Sequence, residues 1–443
     1  MNSEMFDRLP IRELFIRCAV PAAITSVFGA LYSIVDGLFV GKYLGENALA
    51  AVNLIMPVIM IVEALSNMVA TGASVNISML LGSGRRKEAS KVFSFSVRFI
   101  LMLSVLIGAA GFLFAERFVS FIALGASRLA IENATGYLKV YSLFAPLVPI
   151  YFATDNYLRV CGKQKLSMVI SISTQILNAI LDFIFIVVLK YGICSAAVAS
   201  CASIALGSII TLGIFMNGRL DIYFTRGGIK LKQFIGILFN GSSEFFGSIA
   251  TSVMSLVMNL FLLKYGQTTA VAAFSIVMYV DSIIGMLNFG ICDSLQPAIS
   301  YCYGAGHPDR LRKILKSVIT AIILISALSF AFMFFAGPYV SRLFIKREDI
   351  ELLAMSATAT RIFAFSYITG WIDMCFSSFF TALDCPKQSF LITLFGTLIF
   401  PIFFLFVLTE FWQLNGVWMM APVSATVSAV VTLFMARTLD NGQ

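Results

Sequence analysis

One helical stripe would carry Gln175, Asn178 and Asp182, because their spacing is i, i+3, i+7 in an otherwise apolar stretch. The Asn178 amide would then lie one turn from the Asp182 carboxylate. Asp36 lies in a second apolar stretch, and two carboxylates buried side by side favour holding a proton. The same oxygens also suit Na+, a hard cation. These residues predict a site for H+ or Na+; the alternative is that they only fix helix register through hydrogen bonds.

A second group of acids lies further along the chain. Asp373 is close in sequence to Trp371 and Tyr367, so a carboxylate would share its surroundings with aromatic rings. That combination suits an organic cation, through charge attraction and cation–π contact, although aromatic rings also serve plain packing. Glu244 follows Asn240-Gly241-Ser242-Ser243, where water could reach an acid. We predict a substrate site or second cation site from Glu244, Asp373, Tyr367 and Trp371. Three other acids in apolar stretches are harder to assign: Glu63, Asp281 and Asp293.

The composition places these acids in a membrane. Hydrophobic residues make up 59% of the 443 residues and charged residues only 12%. The mean hydropathy is +0.92. A carboxylate in the middle of a spanning helix costs about 2.5 to 3.5 kcal/mol, so each acid requires a partner or a water-filled cavity. An all-α integral membrane protein is therefore predicted.

Twelve runs reach the roughly 20 apolar residues that a spanning helix needs. The runs are 14–40, 50–81, 92–115, 133–157, 166–189, 194–216, 233–262, 268–303, 314–336, 352–381, 388–409 and 416–436. We predict twelve transmembrane helices, six in each half of the chain.

The two halves repeat each other. Lys42-Tyr43 recurs as Lys264-Tyr265, and Gly82-Ser83-Gly84 recurs as Gly304-Ala305-Gly306, both at an offset of 222 residues. Six helices bring the chain back to the face on which it began. The halves are therefore predicted to be two six-helix bundles related by a parallel pseudo-two-fold repeat, an arrangement typical of transporters.

The predicted boundaries are an N-terminal lobe at 1–216, a cytoplasmic linker at 217–233 and a C-terminal lobe at 234–443. The acids do not follow the repeat, since the position equivalent to Asp182 at an offset of 222 is Phe404. Each lobe is therefore predicted to carry its own specialised site.

Basic residues collect on one predicted face of the membrane. Of the 31 Lys and Arg, 21 lie in the N-terminus and the loops of that face, and ten, including Lys346 and Arg347, lie on the other. This bias predicts that both termini are cytoplasmic. The net charge of +8 then reflects topology and contact with anionic lipids. Nucleic-acid binding is excluded, because it would require basic residues gathered on one folded domain.

The chain offers little that an enzyme or a metal site would use. Its single histidine, His307, is followed by Pro308 in a predicted loop, and no HExxH motif is present. The eight Cys include no CxxC pair, which argues against disulfides and zinc. No cofactor is expected, and a membrane-embedded enzyme is the weaker alternative.

Several motifs resemble the multidrug and toxic compound extrusion (MATE) family of the MOP superfamily. They are Asp36–Gly41, Leu44-Gly45, Ala48–Ala51 and Gln296-Pro297 leading to Tyr303–Gly306. The resemblance covers essentially the whole chain and agrees with the helix count and the half-repeat. It implies a V-shaped pair of bundles that alternates between outward-open and inward-open states. It also implies export of amphipathic, often cationic compounds by antiport with H+ or Na+.

The resemblance extends to individual residues. The family's N-terminal cation site looks like Asp36, Asn178 and Asp182, with Asn156 and Ser200 as further contributors. The acids of the C-terminal lobe in NorM-like members look like Glu244 and Asp373. Because the N-terminal set resembles that of proton-coupled DinF-like relatives, H+ is favoured over Na+.

A flippase for lipid-linked oligosaccharides remains as an alternative within the same superfamily. Such a protein would be expected to line its cavity with basic residues, and few Lys or Arg are intramembrane here. We expect a monomer in the cell membrane that contacts lipids and small amphipathic or cationic molecules.

Overall fold

The computed structural model describes residues 3–122, 127–344 and 349–440. Lys346 and Arg347, which the charge count assigns to the face opposite the termini, lie outside these ranges. Within them the secondary structure is helical and contains no strand. A hydrocarbon environment dictates this outcome, because a helix satisfies its own backbone hydrogen bonds where water is absent.

Seventeen helices are described, several of which are joined end to end. They are α1 (Met5–Arg8), α2 (Ile11–Phe39), α3 (Glu46–Gly82), α4 (Arg86–Leu113), α5 (Ala115–Ile122), α6 (Arg128–Phe144), α7 (Val148–Val160), α8 (Gln164–Asp182), α9 (Ile193–Met216), α10 (Leu231–Ser294), α11 (Gln296–Gly304), α12 (Pro308–Ala331), α13 (Gly337–Phe344), α14 (Ile350–Ala364), α15 (Ser366–Ala382), α16 (Pro386–Leu394) and α17 (Phe400–Asp440). Four π-helical segments continue such helices: Val40–Leu44, Phe183–Val188, Phe332–Ala336 and Phe395–Ile399.

Twelve membrane crossings follow from these helices. Eight runs in the described residues are long and apolar enough to span a membrane. Two of them, Leu231–Gly304 and Pro386–Arg437, contain a residue with non-helical backbone, Gln267 and Gln413 respectively, so each makes two crossings. An eleventh crossing is the broken helix formed by α14 with α15, bent by 48°. We count α6 with α7 as the twelfth because they occupy the equivalent place in the first repeat: Arg128 and Val160 shifted by 222 residues fall on Ile350 and Ala382. The prediction of an all-α membrane protein with twelve transmembrane helices is confirmed.

The repeat is visible in the backbone itself. Nine described residues have a positive φ, and eight of them form four pairs that recur in the two halves. The pairs at an offset of 222 are Gly45 with Gln267, Gly84 with Gly306, and Gly162 with Asp384, and the fourth pair is Lys190 with Gln413. The ninth residue, Gly218, lies between the two repeats. The backbone therefore has a positive φ at equivalent positions of the two halves, even where the residue types differ.

Replacing Gln267 with Gly should stabilise the protein. Gln267 has φ 54° and ψ −155°, a backbone region that is essentially restricted to glycine, whereas Gly45 occupies the equivalent corner of the first half with φ 82° and ψ −178°. Relief of this strain should add roughly 1 kcal/mol, measured as a higher Tm of the detergent-purified protein. The control is Gln267→Ala, which removes the side chain but keeps Cβ. An equal rise in Tm for both variants would place the strain in the side chain and contradict the prediction.

Two compact units make up the chain. The first comprises Met1–Phe245 and Ser300–His307, and the second comprises Phe246–Ile299 and Pro308–Gln443. Each has its own apolar core. That of the first unit includes Ile55, Leu138 and Ile193, and that of the second includes Leu262, Met333 and Leu405.

The segment between α9 and α10 is tied to the first unit by polar contacts. Asp221 is buried, and it accepts hydrogen bonds from the Ser3 backbone N–H at 2.7 Å and from the Arg86 guanidinium. Arg98 donates to the backbone carbonyl of Gly227 at 2.8 Å. The segment is thus fixed to α4 through Arg86 and Arg98, and Ser3 is joined to the segment through Asp221.

Candidate functional site

The carboxylates of Asp36 and Asp182 face each other within hydrogen-bonding range. Asp36 lies near the end of α2, Asp182 is the last residue of α8, and the two helices pack along each other. A π-helical segment follows each acid, a distortion that is frequent at functional sites. Asp182 is fully buried, with an exposure of 0%. The structure thus brings together two acids that are far apart in the sequence.

An amide and two hydroxyl groups surround this acid pair. Asn178, one turn before Asp182 on α8, is buried and donates from Nδ2 to the Ser200 Oγ of α9 at 3.1 Å. The hydroxyl of Tyr32, which lies one turn before Asp36 on α2, is also close to Ser200. Three helices therefore contribute to the site, which we call the N-site: Tyr32, Asp36, Asn178, Asp182 and Ser200.

The N-site contains buried acceptors that the protein does not satisfy. Among the described residues, no hydrogen-bond donor reaches Asn178 Oδ1 or either carboxylate oxygen of Asp182. Leaving a buried polar group unpaired costs about 1 to 3 kcal/mol, and more when the group is charged. A proton held between the two carboxylates would supply a donor, and Na+ could also use Asn178 Oδ1. The arrangement is therefore suited to a small cation.

The N-site is not a cluster of the kind that holds a transition metal. Groups of three or more His, Cys, Asp or Glu side chains able to hold a metal ion do not occur in the described parts of the chain. Two carboxylates with amide and hydroxyl oxygens form an oxygen-only donor set, which suits a hard cation.

The remaining member of the stripe, Gln175, and the further candidate Asn156 bind elsewhere. Gln175 donates from Nε2 to Ser171 Oγ at 3.2 Å. Asn156 Oδ1 accepts a hydrogen bond from Arg159, one turn further along α7. Within the described residues, Ser200 is therefore hydrogen-bonded to Asn178, and no such bond joins Asn156 to Asn178.

Asp373 lies in a second polar environment, in the second compact unit. Its Oδ1 accepts a hydrogen bond from Thr432 Oγ1 of α17 at 2.6 Å, and Ser428 Oγ also lies near the carboxylate. Gly396 allows this approach, because a Cβ there would lie only 2.9 Å from Asp373 Oδ2. α15, α17 and a π-helical segment thus converge on one carboxylate.

Tyr367 pairs with a different acid. Its hydroxyl donates to Asp281 Oδ1 at 2.8 Å, which joins α15 to α10. Trp371 donates from its indole nitrogen to the carbonyl of Ile368 at 2.9 Å. The aromatic residues predicted to accompany Asp373 therefore have their own partners, and the second unit carries two separate carboxylate environments.

Glu244 is half-buried in α10 and belongs to the first compact unit, whereas Asp373 belongs to the second. Sequence reasoning missed Tyr32 and the pairing of Asp281 with Tyr367. Tyr32 carried a usable signal, because it precedes Asp36 by four residues, as Asn178 precedes Asp182. Asp281 and Tyr367 are 86 residues apart, and only the packing of α10 on α15 unites them.

Comparison with known proteins supports a single family. A family model described as MatE matches residues 21–184 and 245–407, which is most of both halves. The multidrug export protein MepA of Staphylococcus haemolyticus is 25% identical over 439 residues, covering 98% of this chain and 95% of that protein. MepA of Staphylococcus aureus strain MSSA476 is also 25% identical, covering 99% of this chain and 97% of that protein.

Solved structures show the same fold at lower identity. A MATE protein crystallised in complex with MaL6 is 22% identical, with a TM-score of 0.93 over 100% of this chain and 98% of that one. The outward-facing conformation of a multidrug resistance MATE family transporter gives a TM-score of 0.91 with the same identity and coverage. A MOP superfamily transporter from Pyrococcus furiosus gives 0.89 at 22% identity over 99% and 97% of the two chains. The reverse polarity of its binding pocket is described as suggesting a different function.

Proposed function

Because this chain belongs to the MatE family of transporters, we propose that it exports small amphipathic, often cationic compounds across the cell membrane by antiport with H+. Membership of this family makes it a multi-pass membrane transporter and not an enzyme. The names of the MepA relatives, which are multidrug export proteins, support a broad range of cargo. They also argue against the flippase alternative.

The observation that carries the proton coupling is the Asp36–Asp182 pair. Two carboxylates facing each other in an apolar interior repel when both are ionised, and one proton relieves the repulsion while providing the missing donor. A single H+ is therefore sufficient for this site. Na+ would need additional oxygen ligands, with Asn178 Oδ1 as the available candidate.

Transport requires that the proton and the cargo favour different conformations. A ligand shifts a conformational equilibrium only through its different affinities for the two states. In the proposed cycle, loading H+ at the N-site stabilises one state, cargo stabilises the other, and the two alternate in facing the two sides of the membrane. The proton gradient then drives export.

Glu244 and Asp373 belong to different compact units, and each is proposed to attract cationic cargo by itself. Thr432 orients the Asp373 carboxylate through a hydrogen bond, and a bound cation would compensate the charge of that carboxylate. Tyr367 and Trp371 contribute aromatic surface nearby in sequence, which favours organic cations. We further propose that both termini are cytoplasmic, that one chain is sufficient, and that no cofactor takes part.

Purified protein in liposomes tests the coupling ion directly. An imposed proton gradient should drive ethidium transport, and an imposed sodium gradient at equal pH should not. Chain-free liposomes treated with the same gradients are the control. Ethidium transport driven by the sodium gradient alone would identify Na+ instead of H+ as the coupling ion. Transport that responds to neither gradient would refute secondary active transport.

A further inference from the structure

Helix α3 touches the backbone of the second repeat through a pair of glycines. A methyl group at Gly82 would overlap the carbonyl oxygen of Tyr301, and one at Gly304 would lie 2.6 Å from the Met79 Cα. Each glycine is thus the site at which the other helix's backbone packs. Both segments lie in the first compact unit, to which Ser300–His307 belongs.

The two sides of this contact are equivalent positions of the repeat. Gly82 and Gly304 are separated by 222 residues, and so are Met79 and Tyr301. Gly82 meets residue 301 while Gly304 meets residue 79, so the contact is reciprocal, as in an interface between symmetry mates. Ser78 and Ser300, also 222 apart, are both buried beside it. The glycine motifs that reveal the repeat in the sequence therefore meet each other in the structure.

A second glycine pair lies further along α3. A Cβ at Gly72 would lie 2.8 Å from the carbonyl carbon of Ile237, and a Cβ at Gly241 would lie 2.7 Å from that of Met68. Ten residues of helix separate Gly72 from Gly82, about 15 Å. α3 is therefore in close backbone contact with the beginning of α10 at Gly72 and with α11 at Gly82.

The ends of α10 and α11 belong to a different unit from the rest of these helices. The chain passes from the first unit to the second at Phe245–Phe246 and returns at Ile299–Ser300. Gly241 lies at the beginning of α10 and Gly304 at the end of α11, and both contact α3 in the first unit. The rest of each helix belongs to the second unit. Close packing of this kind depends on small residues, shape and dispersion, so the backbones can approach each other closely.

We propose that Gly72, Gly82, Gly241 and Gly304 form a gate that closes the transport path at the end predicted to be cytoplasmic and parts once in each transport cycle. This inference rests on the proposed alternating transport. The glycines position the backbones for closure, and a methyl group at any of them would hold the gate open. The N-terminal segment packs over the same end, since Phe6 is buried against the Tyr301 ring at 5.7 Å and Asp7 pairs with His307 at 2.8 Å.

The test uses a thiol placed at the contact. Ser78 is 1% exposed, so in a background with the eight native cysteines replaced, Ser78→Cys should react slowly with a membrane-impermeant maleimide in everted vesicles. Adding Gly82→Ala or Gly304→Ala should raise the labelling rate by about fivefold or more, because overpacking favours the separated state. The matched control is Gly213→Ala, which meets open space and should leave the rate unchanged.

A second measurement avoids the glycine variants, which could fail to fold. With Ser78→Cys alone, labelling should accelerate when ethidium and a proton gradient start turnover. An unchanged labelling rate in both glycine variants, or a constant rate during measured turnover, would overturn the gate. Faster labelling in the glycine variants without any ion-driven transport would instead retain the gate and reject the proposed coupling.

Discussion

Replacing Asp36 or Asp182 with Asn should abolish the response of efflux to a proton gradient. Asn has the shape of the protonated acid but cannot gain or lose the proton, and its amide can donate to the remaining carboxylate. Each variant should therefore fold and remain in the state that favours the loaded site. We expect proton-driven ethidium transport to fall to the rate measured without a gradient, because the proton no longer shifts the equilibrium between the two states.

Cargo binding provides a readout that does not depend on transport. In the parent protein, ethidium affinity should rise with pH because loss of the proton favours the cargo-binding state, whereas in Asp36→Asn and Asp182→Asn the affinity should be independent of pH. Asp309→Asn, at an exposed position of α12, is the control for the loss of one acid. If the ethidium affinity of both N-site variants depended on pH as in the parent protein, Asp36 and Asp182 would have no part in the coupling mechanism.

Replacing Asp373 with Asn should weaken transport of cations selectively. The amide oxygen can still accept a hydrogen bond from Thr432, so the local structure is retained while the charge that attracts a cation is lost. We expect the apparent affinity for ethidium to fall about tenfold, and that for a neutral amphipathic substrate to change little. Competition assays with purified protein measure both.

Two comparison variants make this result specific. Thr432→Val removes one donor but keeps the charge, so it should affect cations less than Asp373→Asn does. Asp281→Asn alters the separate acid that binds Tyr367 and tests whether any carboxylate of this unit has the same effect. Equal loss for charged and neutral substrates in Asp373→Asn would show that Asp373 has a structural role and does not select cations.

The architecture could be predicted because membrane insertion has a strong signature. Long apolar runs fix the number of crossings, and the recurring glycine motifs fix the relation between the halves. The corners at Gln267 and Gln413 could not be predicted, because glutamine has no preference for a left-handed backbone. Their positions follow only from the equivalent corners at Gly45 and Lys190 in the first half.

The site was predictable only where it depends on spacing within one helix. Asn178 and Asp182 lie on one stripe because i, i+4 spacing is a property of the helix itself. The hydrogen-bond partners of Asn156 and Tyr367 could not be predicted, because each side chain has several polar neighbours. Arg159, one turn away, donates to the Asn156 amide oxygen, and the Tyr367 hydroxyl donates to Asp281. Resemblance to a family identifies the positions of candidate residues but does not show which neighbour each side chain contacts.

The division of α10 and α11 between the two compact units constrains how the protein is made. A ribosome delivers the chain from its N-terminus, and domains usually assemble in that order. Here the first unit gains Ser300–His307 only after all of Phe246–Ile299 has been synthesised. Until then Gly82 of α3 lacks the Tyr301 backbone on which it packs, so the first unit is completed only after translation has passed well into the second.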